Sequence, residues 1–261
     1  MQRELLLSLV ESAMSVTAAA SSISADSEPE ARNHILGSLP DEDIRRLSPH
    51  LRTMSLQRRH VLVRQGEPVQ EIVFPTGGVC SLVKTTEDAQ AIEILGVGAE
   101  GAIGASVAIG QPESPTDVIV QVPSDFAVAL PLEVFKAELN QRGALYACVT
   151  QYCRILTEQL IQACACNALH SAEQRCCRWL LTTDDRVQSE SFSVTQEMLA
   201  MSLGVRRPTV TLIMADLHRA GAVNYARGIV RVLDRKPLLA GACECYRFLS
   251  PRFAAAASPP L

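Results

Sequence analysis

The stretch from Phe192 to Leu217, FSVTQEMLAMSLGVRRPTVTLIMADL, decides how this chain folds. Ser193 and Thr195 stand just before an apolar-periodic segment, so either hydroxyl side chain can cap a helix there. The helix is predicted to span Gln196 to Leu203. Gly204 suits the positive φ that ends such a helix. The stretch therefore opens with a short capped helix and a glycine turn.

A second helix is predicted to begin near Arg206 or Arg207, because Pro208 is tolerated only in the first turn of a helix. Its apolar residues recur at the spacing of one buried stripe: Val210, Ile213, Met214 and Leu217. The opposite face carries Arg207, Pro208, Thr211, Leu212 and Ala215. Two helices joined by a glycine turn, with arginine at the exposed start of the second, predict a helix-turn-helix.

The residues that follow read as a two-stranded hairpin. Val223–Ala226 and Ile229–Leu233 are β-prone runs separated by Arg227 and Gly228. Such a hairpin would be the wing of a winged helix. A helical hairpin packed inside an ordinary core is the alternative interpretation.

Charge favours the winged helix over that alternative. The segment from Gly204 to Lys236 holds seven cations and two acids, a net charge of +5, whereas the whole chain carries −4. The rest of the chain is therefore strongly acidic. A basic patch on an acidic protein is typical of a DNA-binding face.

With its wing, this segment resembles the Crp/Fnr family of bacterial transcription regulators. In the family's pattern, residues 204–210 fall on the turn and the start of the recognition helix, and Arg207 and Thr209 match what the family has there. Pro208 and Leu212 depart from the glutamate and arginine with which the best-known members read bases. We therefore expect a different sequence preference.

The resemblance implies DNA contacts from the turn, the recognition helix and the wing. Arg207 is expected to pair with guanine in the major groove, while Arg206 and nearby hydroxyls contact phosphate. The predicted DNA-binding residues are Ser193, Thr195, Arg206, Arg207, Pro208, Thr209, Thr211, Leu212 and Arg227.

The N-terminal half has the pattern of a β-rich domain. Residues 31–51 predict a helix pair, with Pro40 and Asp41 starting the second helix. Short β-branched runs separated by turn residues then predict strands at His60–Arg64, Glu71–Phe74, Val79–Thr85, Ala91–Val97, Val118–Val122 and Phe126–Leu130. This spacing suggests a sandwich or barrel, and it resembles the cyclic-nucleotide-binding β-roll of the Crp/Fnr family. The resemblance covers about Ile35 to Phe248.

A short helix is predicted over Leu132–Asn140, and a long one from Arg142 to about Ala168. The long helix carries one apolar stripe, formed by Leu145, Val149, Cys153, Leu156, Leu160 and Cys164. Such a stripe exceeds what one small domain needs and favours a helix–helix seam. In the family this helix forms the dimer, which implies a homodimer here. The alternative is a helix that lies on its own barrel.

The predicted fold class is α+β, with an antiparallel, jelly-roll-like β-roll, a long dimerisation helix and a C-terminal winged helix-turn-helix. The predicted regions are a flexible extension over residues 1–30, the sensory β-roll over 31–141, the dimerisation helix over 142–168, the DNA-binding domain over 169–250 and a tail over 251–261. A closing helix is expected from Pro237 to Leu249.

A cyclic nucleotide needs an arginine at its phosphate and a carboxylate at its ribose hydroxyl. Where binding members of the family supply these groups, this chain has Ala105 and, near the arginine position, Thr116, and residues 88–131 contain no Arg or Lys. We therefore expect neither cAMP nor cGMP to bind in the usual way. The candidate effector pocket consists of Gly101, Gly104, Ala105, Ser106, Thr116 and Leu160.

The nine cysteines predict no metal site and no cofactor. None precedes Cys80, so the N-terminal iron–sulfur cluster of oxygen-sensing relatives has no ligands. The later groups, at 164 and 166, 176 and 177, and 243 and 245, lack the C-x2-C spacing of structural zinc sites. Buried free thiols in a reducing compartment are the simpler account. An inter-subunit disulfide through Cys153 or Cys164 is the redox alternative.

No apolar run is long enough to span a membrane, and no histidine pairs with a nucleophile in a catalytic pattern. The expected function is therefore not enzymatic. The chain is predicted to be a cytoplasmic, homodimeric transcription regulator that binds a palindromic site in double-stranded DNA, with RNA polymerase as a further candidate partner and an effector that is unknown or absent. The alternative is a sensory or scaffold module that acts through protein contacts, with a degenerate helix-turn-helix.

Overall fold

The computed structural model describes residues 32–187 and 189–248. The described part begins with two short helices, α1 (His34–Gly37) and α2 (Asp41–Leu47), and a 3-10 turn at Ser48–His50. Pro40 directly precedes α2, as predicted. The extension predicted over residues 1–30 and the tail over 251–261 lie outside the described residues. Within the described ranges, no helix combines the length and apolarity needed to cross a bilayer.

Seven strands form the β-roll. They are β1 (Arg52–Leu56), β2 (Val61–Val63), β3 (Glu71–Pro75), β4 (Val79–Thr85), β5 (Ala91–Val97), β6 (Asp117–Val122) and β7 (Ser124–Pro131). They pair antiparallel in two sheets, of order β1-β7-β3 and β2-β6-β4-β5. Apolar side chains from both sheets fill the space between them, including Leu56, Val73, Cys80, Val97, Val120 and Ala129.

The predicted strands are found with small shifts at their ends, but the sequence prediction missed β1. Of its residues RTMSL, only Leu56 is fully buried. An edge strand with one buried side chain shows little alternation between apolar and polar residues. Its pairing with β7 fixes its position instead.

Two helices follow the β-roll: α3 (Leu132–Asn140), at the predicted bounds, and α4 (Ala144–Leu169). The first half of α4 packs against the roll. Leu145, Val149 and Cys153 are 2%, 0% and 9% exposed, in one apolar cluster with Phe135 of α3 and Phe74 of β3. Because these three side chains are buried within their own subunit, their assignment to a dimer seam was wrong. For this half of the helix, the alternative of a helix lying on its own barrel is correct.

The C-terminal part is a winged helix. Its elements are α5 (Ala172–Val187), β8 (Phe192–Ser193), α6 (Gln196–Leu203), α7 (Arg207–Arg219), β9 (Val223–Ala226), β10 (Ile229–Val232) and α8 (Arg235–Gly241). The strands pair in the order β8-β10-β9. The prediction of one continuous closing helix over Pro237–Leu249 was wrong, because α8 starts two residues earlier and stops at Gly241, and residues 245–248 are helical again after a break. Asp234 caps α8 through the Lys236 amide, and extended backbone at Ala242 ends it.

The winged helix packs directly on the β2-β6-β4-β5 sheet. Val79 and Val122 of that sheet belong to the apolar core of the winged helix. Beside them, Arg186 of α5 donates through Nε to Glu100 at 2.8 Å, and the two side chains are only 10% and 8% exposed. The two regions that the sequence separates therefore share a core and a buried ion pair.

A buried carboxylate completes this contact. Glu93 of β5 accepts hydrogen bonds from Ser81 Oγ of β4 (2.8 Å), Ser202 Oγ of α6 (2.7 Å) and Trp179 Nε1 of α5 (3.0 Å). Gln121 of β6 donates to the same Ser202 hydroxyl at 2.9 Å. Two strands and two helices from different regions thus meet at one side chain.

We predict that Glu93→Leu destabilises the protein by about 1–3 kcal/mol, because Trp179 and Ser202 lose their buried acceptor. Urea unfolding followed by the fluorescence of Trp179, the single tryptophan, measures the change. The exposed Glu87 on the turn after β4 gives the matched control, and Glu87→Leu should change stability by less than about 0.5 kcal/mol. Equal effects of the two substitutions would show that the network contributes nothing.

Candidate nucleic-acid interface

The first helix of the helix-turn-helix begins and ends as its sequence predicts. Thr195 is the cap, since its hydroxyl accepts from the Met198 amide at 3.2 Å. Ser193, the other candidate, instead lies in β8, paired with Ile229. Gly204 ends α6 with φ of 61°, a conformation that favours glycine. The turn therefore points the chain into α7 without strain.

The recognition helix α7 begins at Arg207, with Arg206 in extended conformation before it and Pro208 in its first turn. The predicted stripe of Val210, Ile213, Met214 and Leu217 is buried. This stripe anchors α7 to the core of the winged helix. The opposite face of α7 therefore does not pack against this core.

The exposed face carries the residues predicted to contact DNA. Arg206, Arg207, Pro208, Thr211 and Leu212 are exposed, Leu212 by 67%, whereas Thr209 is half-buried. An arginine pair, a hydroxyl and an apolar side chain on one helix face can supply both hydrogen bonds and apolar contacts to base edges.

Two residues that the sequence analysis did not assign position this face. Glu197 Oε1 lies 3.0 Å from Arg207 Nε. Gln196 Oε1 accepts from the Thr211 hydroxyl at 3.0 Å and lies 3.4 Å from Arg207 Nε. The first turn of α6 therefore holds the side chains of the first turns of α7. Both residues follow the predicted cap directly, which was the available signal.

The wing is a two-residue hairpin. Arg227 and Gly228 have φ of 52° and 77° between the paired Ala226 and Ile229, as a type I′ turn requires. Arg227 is exposed at the tip. The wing therefore presents a cation beside the recognition helix.

Comparison with known proteins agrees with this geometry. Residues 174–240 match the family model of the Crp-like helix-turn-helix domain. This part of the chain is therefore a Crp-like helix-turn-helix domain. No curated protein sequence is significantly similar to it.

Solved structures share the fold of most of this chain at low sequence identity. FixK2 from Bradyrhizobium japonicum has a TM-score of 0.59 and 13% identity, over 74% of this chain and 98% of FixK2. A CRP-family transcriptional regulator from Thermus thermophilus has a TM-score of 0.59 and 19% identity, over 72% of this chain and 96% of the regulator. The c-di-GMP responsive global regulator CLP from Xanthomonas campestris has a TM-score of 0.58 and 16% identity, over 75% of this chain and 100% of CLP. These likenesses show the fold.

The predicted effector residues lie mainly in one packed turn. A Cβ at Gly101 would stand 2.5 Å from Tyr152 Oη of α4, and one at Gly104, with φ of 85°, would stand 2.8 Å from Val69 Cγ1. Ala105 is buried and Ser106 is half-buried. Close packing therefore explains why glycine occupies positions 101 and 104.

The other two predicted pocket residues lie on different elements. Thr116 is half-buried just before β6, and Leu160 is half-buried on α4. A cleft elsewhere in the molecule lies between β5, α4 and α5 and opens to solvent. Its lining includes Glu93, Gln159, Arg178 and Arg186, which the sequence analysis did not single out.

None of the nine cysteines, which all lie in the described part of the chain, forms a disulfide, and they are not equivalent. Cys176 and Cys177 lie in the apolar core of the winged helix, where burial raises the pKa of both thiols. Cys166, Cys243 and Cys245 form a separate buried cluster. Cys166 Sγ lies 3.6 Å from Cys243 Sγ, a closeness that spacing along the sequence does not reveal.

We predict that Thr195→Ala lowers the free energy of unfolding by about 0.5–2 kcal/mol, because the Met198 amide loses its cap. Ser193→Ala is the matched control, two residues away and without a capping bond, and should change stability by less than about 0.5 kcal/mol. Chemical denaturation of both variants measures the difference. A larger loss from Ser193→Ala would reverse the assignment of the cap.

Proposed function

We propose that this chain is a sequence-specific, DNA-binding transcription regulator that acts in the cytoplasm as a homodimer on a palindromic operator. The observation that carries the proposal is the exposed start of α7, where Arg206, Arg207 and Thr211 stand on one face beside Arg227 of the wing. The basic segment around them sits in a chain of net charge −4, which favours DNA at this face over other surfaces.

The residues of this face divide between reading and positioning. Arg207 has the geometry to donate two hydrogen bonds to guanine, and the exposed Leu212 to contact a thymine methyl group. Arg206, Thr195 and Arg227 stand at the turn, the cap and the wing, where phosphate contacts fix the register. Arg207 must leave Glu197 to reach a base, so its paired state in the free protein is the resting one.

We predict that Arg207→Ala removes about 1–3 kcal/mol of discrimination at one base pair of each half-site, because the bidentate contact to guanine is lost. Arg227→Ala should weaken all sequences alike, since a phosphate contact carries no base information. Competition binding to a selected operator and its single-base variants, at fixed salt, separates the two effects. Unchanged affinity and preference after Arg207→Ala would reject the proposed role.

The second half of α4 supports the homodimer. Thr157, Ile161, Cys164 and Ala168 are all exposed and recur at helical spacing, and Ile161 is 66% exposed. Leu156 and Leu160 flank this stripe and are half-buried. An exposed apolar stripe on a long helix is what a two-helix seam requires. We therefore propose the seam here, beyond the half of α4 that packs on the β-roll.

A homodimer would also bind DNA more tightly than a single subunit. A single recognition helix buries little surface, and regulators of this kind place two such helices about 34 Å apart on successive major grooves. That arrangement requires a fixed two-fold axis. The exposed half of α4 lies between the β-roll and the winged helix and can supply it.

We predict that Ile161→Asp yields folded monomers that have lost specific DNA binding, because a carboxylate from each subunit would enter an apolar seam. Ile109→Asp is the control: Ile109 is 72% exposed on the β-roll and is not part of α4's stripe. Sedimentation at micromolar concentration, with circular dichroism for folding, measures the outcome. A dimeric Ile161→Asp protein, or a monomeric wild type on its operator, would contradict the seam.

For the β-roll we propose that no cyclic nucleotide binds in the manner usual for the family. Ala105 and Thr116 offer neither the carboxylate nor the guanidinium that such a ligand needs, and Ala105 is buried in a packed turn. The roll's contacts to the winged helix give it a route to influence DNA binding through another effector or a protein partner. RNA polymerase is the partner that a transcription regulator of this kind would contact.

A further inference from the structure

Four side chains with metal-binding atoms converge where α4 ends. Cys166 and His170 lie one helical turn apart on α4 and its cap, and Cys243 and Cys245 lie in the segment after α8. Their donor atoms all lie within 4.8 Å of one another. All three cysteines are buried and the histidine is half-buried. The arrangement depends on tertiary structure, because Cys166 and Cys243 are 77 residues apart.

Two of the separations match the edges of a tetrahedron around one ion. Zn–S bonds of about 2.3 Å and Zn–N bonds of about 2.0–2.1 Å give edges of about 3.8 Å between two sulfurs and about 3.5 Å between sulfur and nitrogen. Cys166 Sγ and Cys243 Sγ are 3.6 Å apart, and Cys245 Sγ and His170 Nδ1 are 3.5 Å apart. We propose that Cys166, His170, Cys243 and Cys245 form a Cys₃His site that binds a single zinc ion.

The neighbours of these four residues are those of a metal site. His170 Nε2, the ring nitrogen not facing the thiols, lies 3.2 Å from the Glu244 carboxylate. A carboxylate on the second nitrogen of a ligating histidine fixes its tautomer and orientation. Gln162 Nε2 donates to Cys245 Sγ at 2.9 Å. Hydrogen bonds of this kind orient thiolate ligands.

A neighbouring cation can balance the net charge of the proposed zinc site. Three thiolates and one neutral histidine around Zn²⁺ leave one net negative charge. Arg178 lines the same cleft as Cys166 and Cys245, and its buried Nε has no hydrogen-bond partner within the described ranges. A guanidinium in the same cleft can balance that negative charge.

The simplest competing explanation treats the three cysteines as small apolar residues. Cys176 and Cys177 show what that looks like in this chain: both thiols pack among apolar side chains, and burial raises their pKa. The Cys166 cluster instead has a histidine, a glutamine and an arginine around its sulfurs. Polar groups directed at buried thiols are expected around a metal and not in an apolar core.

The composition of the site selects the metal. Soft thiolates with one imidazole suit zinc, and four protein ligands leave no open position, as in structural zinc sites. Iron–sulfur clusters hold several metal ions and need protein sulfurs spread more widely than a single-ion tetrahedron. Each cysteine would bind as a thiolate and release its proton. The site would tie the last segment of the winged helix to the end of α4.

The test begins with the full-length chain, purified without a polyhistidine tag and under reducing conditions. Elemental analysis should find about one zinc ion per chain. Cobalt exchanged into the site should give the intense visible bands of tetrahedral Co²⁺ and a sulfur-to-cobalt charge-transfer band. Cys243→Ser and His170→Ala should lower the zinc content to near zero, whereas Cys164→Ser, an exposed cysteine two residues from Cys166, should leave it unchanged.

A variant outside the ligand set guards against simple misfolding. Glu244 is exposed, so Glu244→Ala should fold normally, yet it should weaken zinc affinity by about 10–100-fold in competition with a chelator. A wild-type protein that binds neither zinc nor cobalt stoichiometrically overturns the proposal. So does a Cys166–Cys243 disulfide in the reduced preparation, or iron accompanied by acid-labile sulfide. None of these measurements depends on DNA binding.

Discussion

A carboxylate buried away from water must find hydrogen-bond donors, and Glu93 finds them on both sides of a domain boundary. Ser81 belongs to its own sheet, while Trp179 and Ser202 belong to the winged helix. Rotating the winged helix away from the sheet would leave the carboxylate and two donors without partners. The position of the helix-turn-helix is therefore set by the β-roll as well as by the long helix that joins them.

This constraint changes how the two regions can communicate. The long helix α4 is the obvious connection between the β-roll and the winged helix. Here Val79 and Val122 of the sheet enter the core of the winged helix, and Arg186 reaches back to Glu100. A shift in the β2-β6-β4-β5 sheet would thus reach α5 and α6 directly. The first half of α4 is meanwhile packed on the roll.

The sequence predicted what local periodicity encodes. The bounds of α6, the φ of Gly204 and the buried stripe from Val210 to Leu217 follow from caps, glycine and helical spacing. The apolar stripe of α4 was also real, but spacing cannot tell whether a helix packs on its own domain or on a partner. Contacts between segments that are distant along the chain are even harder to predict from the sequence. Glu93 and Trp179 are 86 residues apart, and their pairing is not readable from either neighbourhood.

Arg207 is already paired with a carboxylate, that of Glu197, before any other anion reaches it. Glu197 holds the guanidinium at 3.0 Å in the free protein, much as a phosphate oxygen would. Any anion that recruits Arg207 must first displace this internal carboxylate. Random phosphates along a duplex offer little more than Glu197 does, whereas a bidentate base edge offers two hydrogen bonds. If Arg207 reads a base as proposed, the pair would therefore weaken binding to any sequence but favour binding to the matching one.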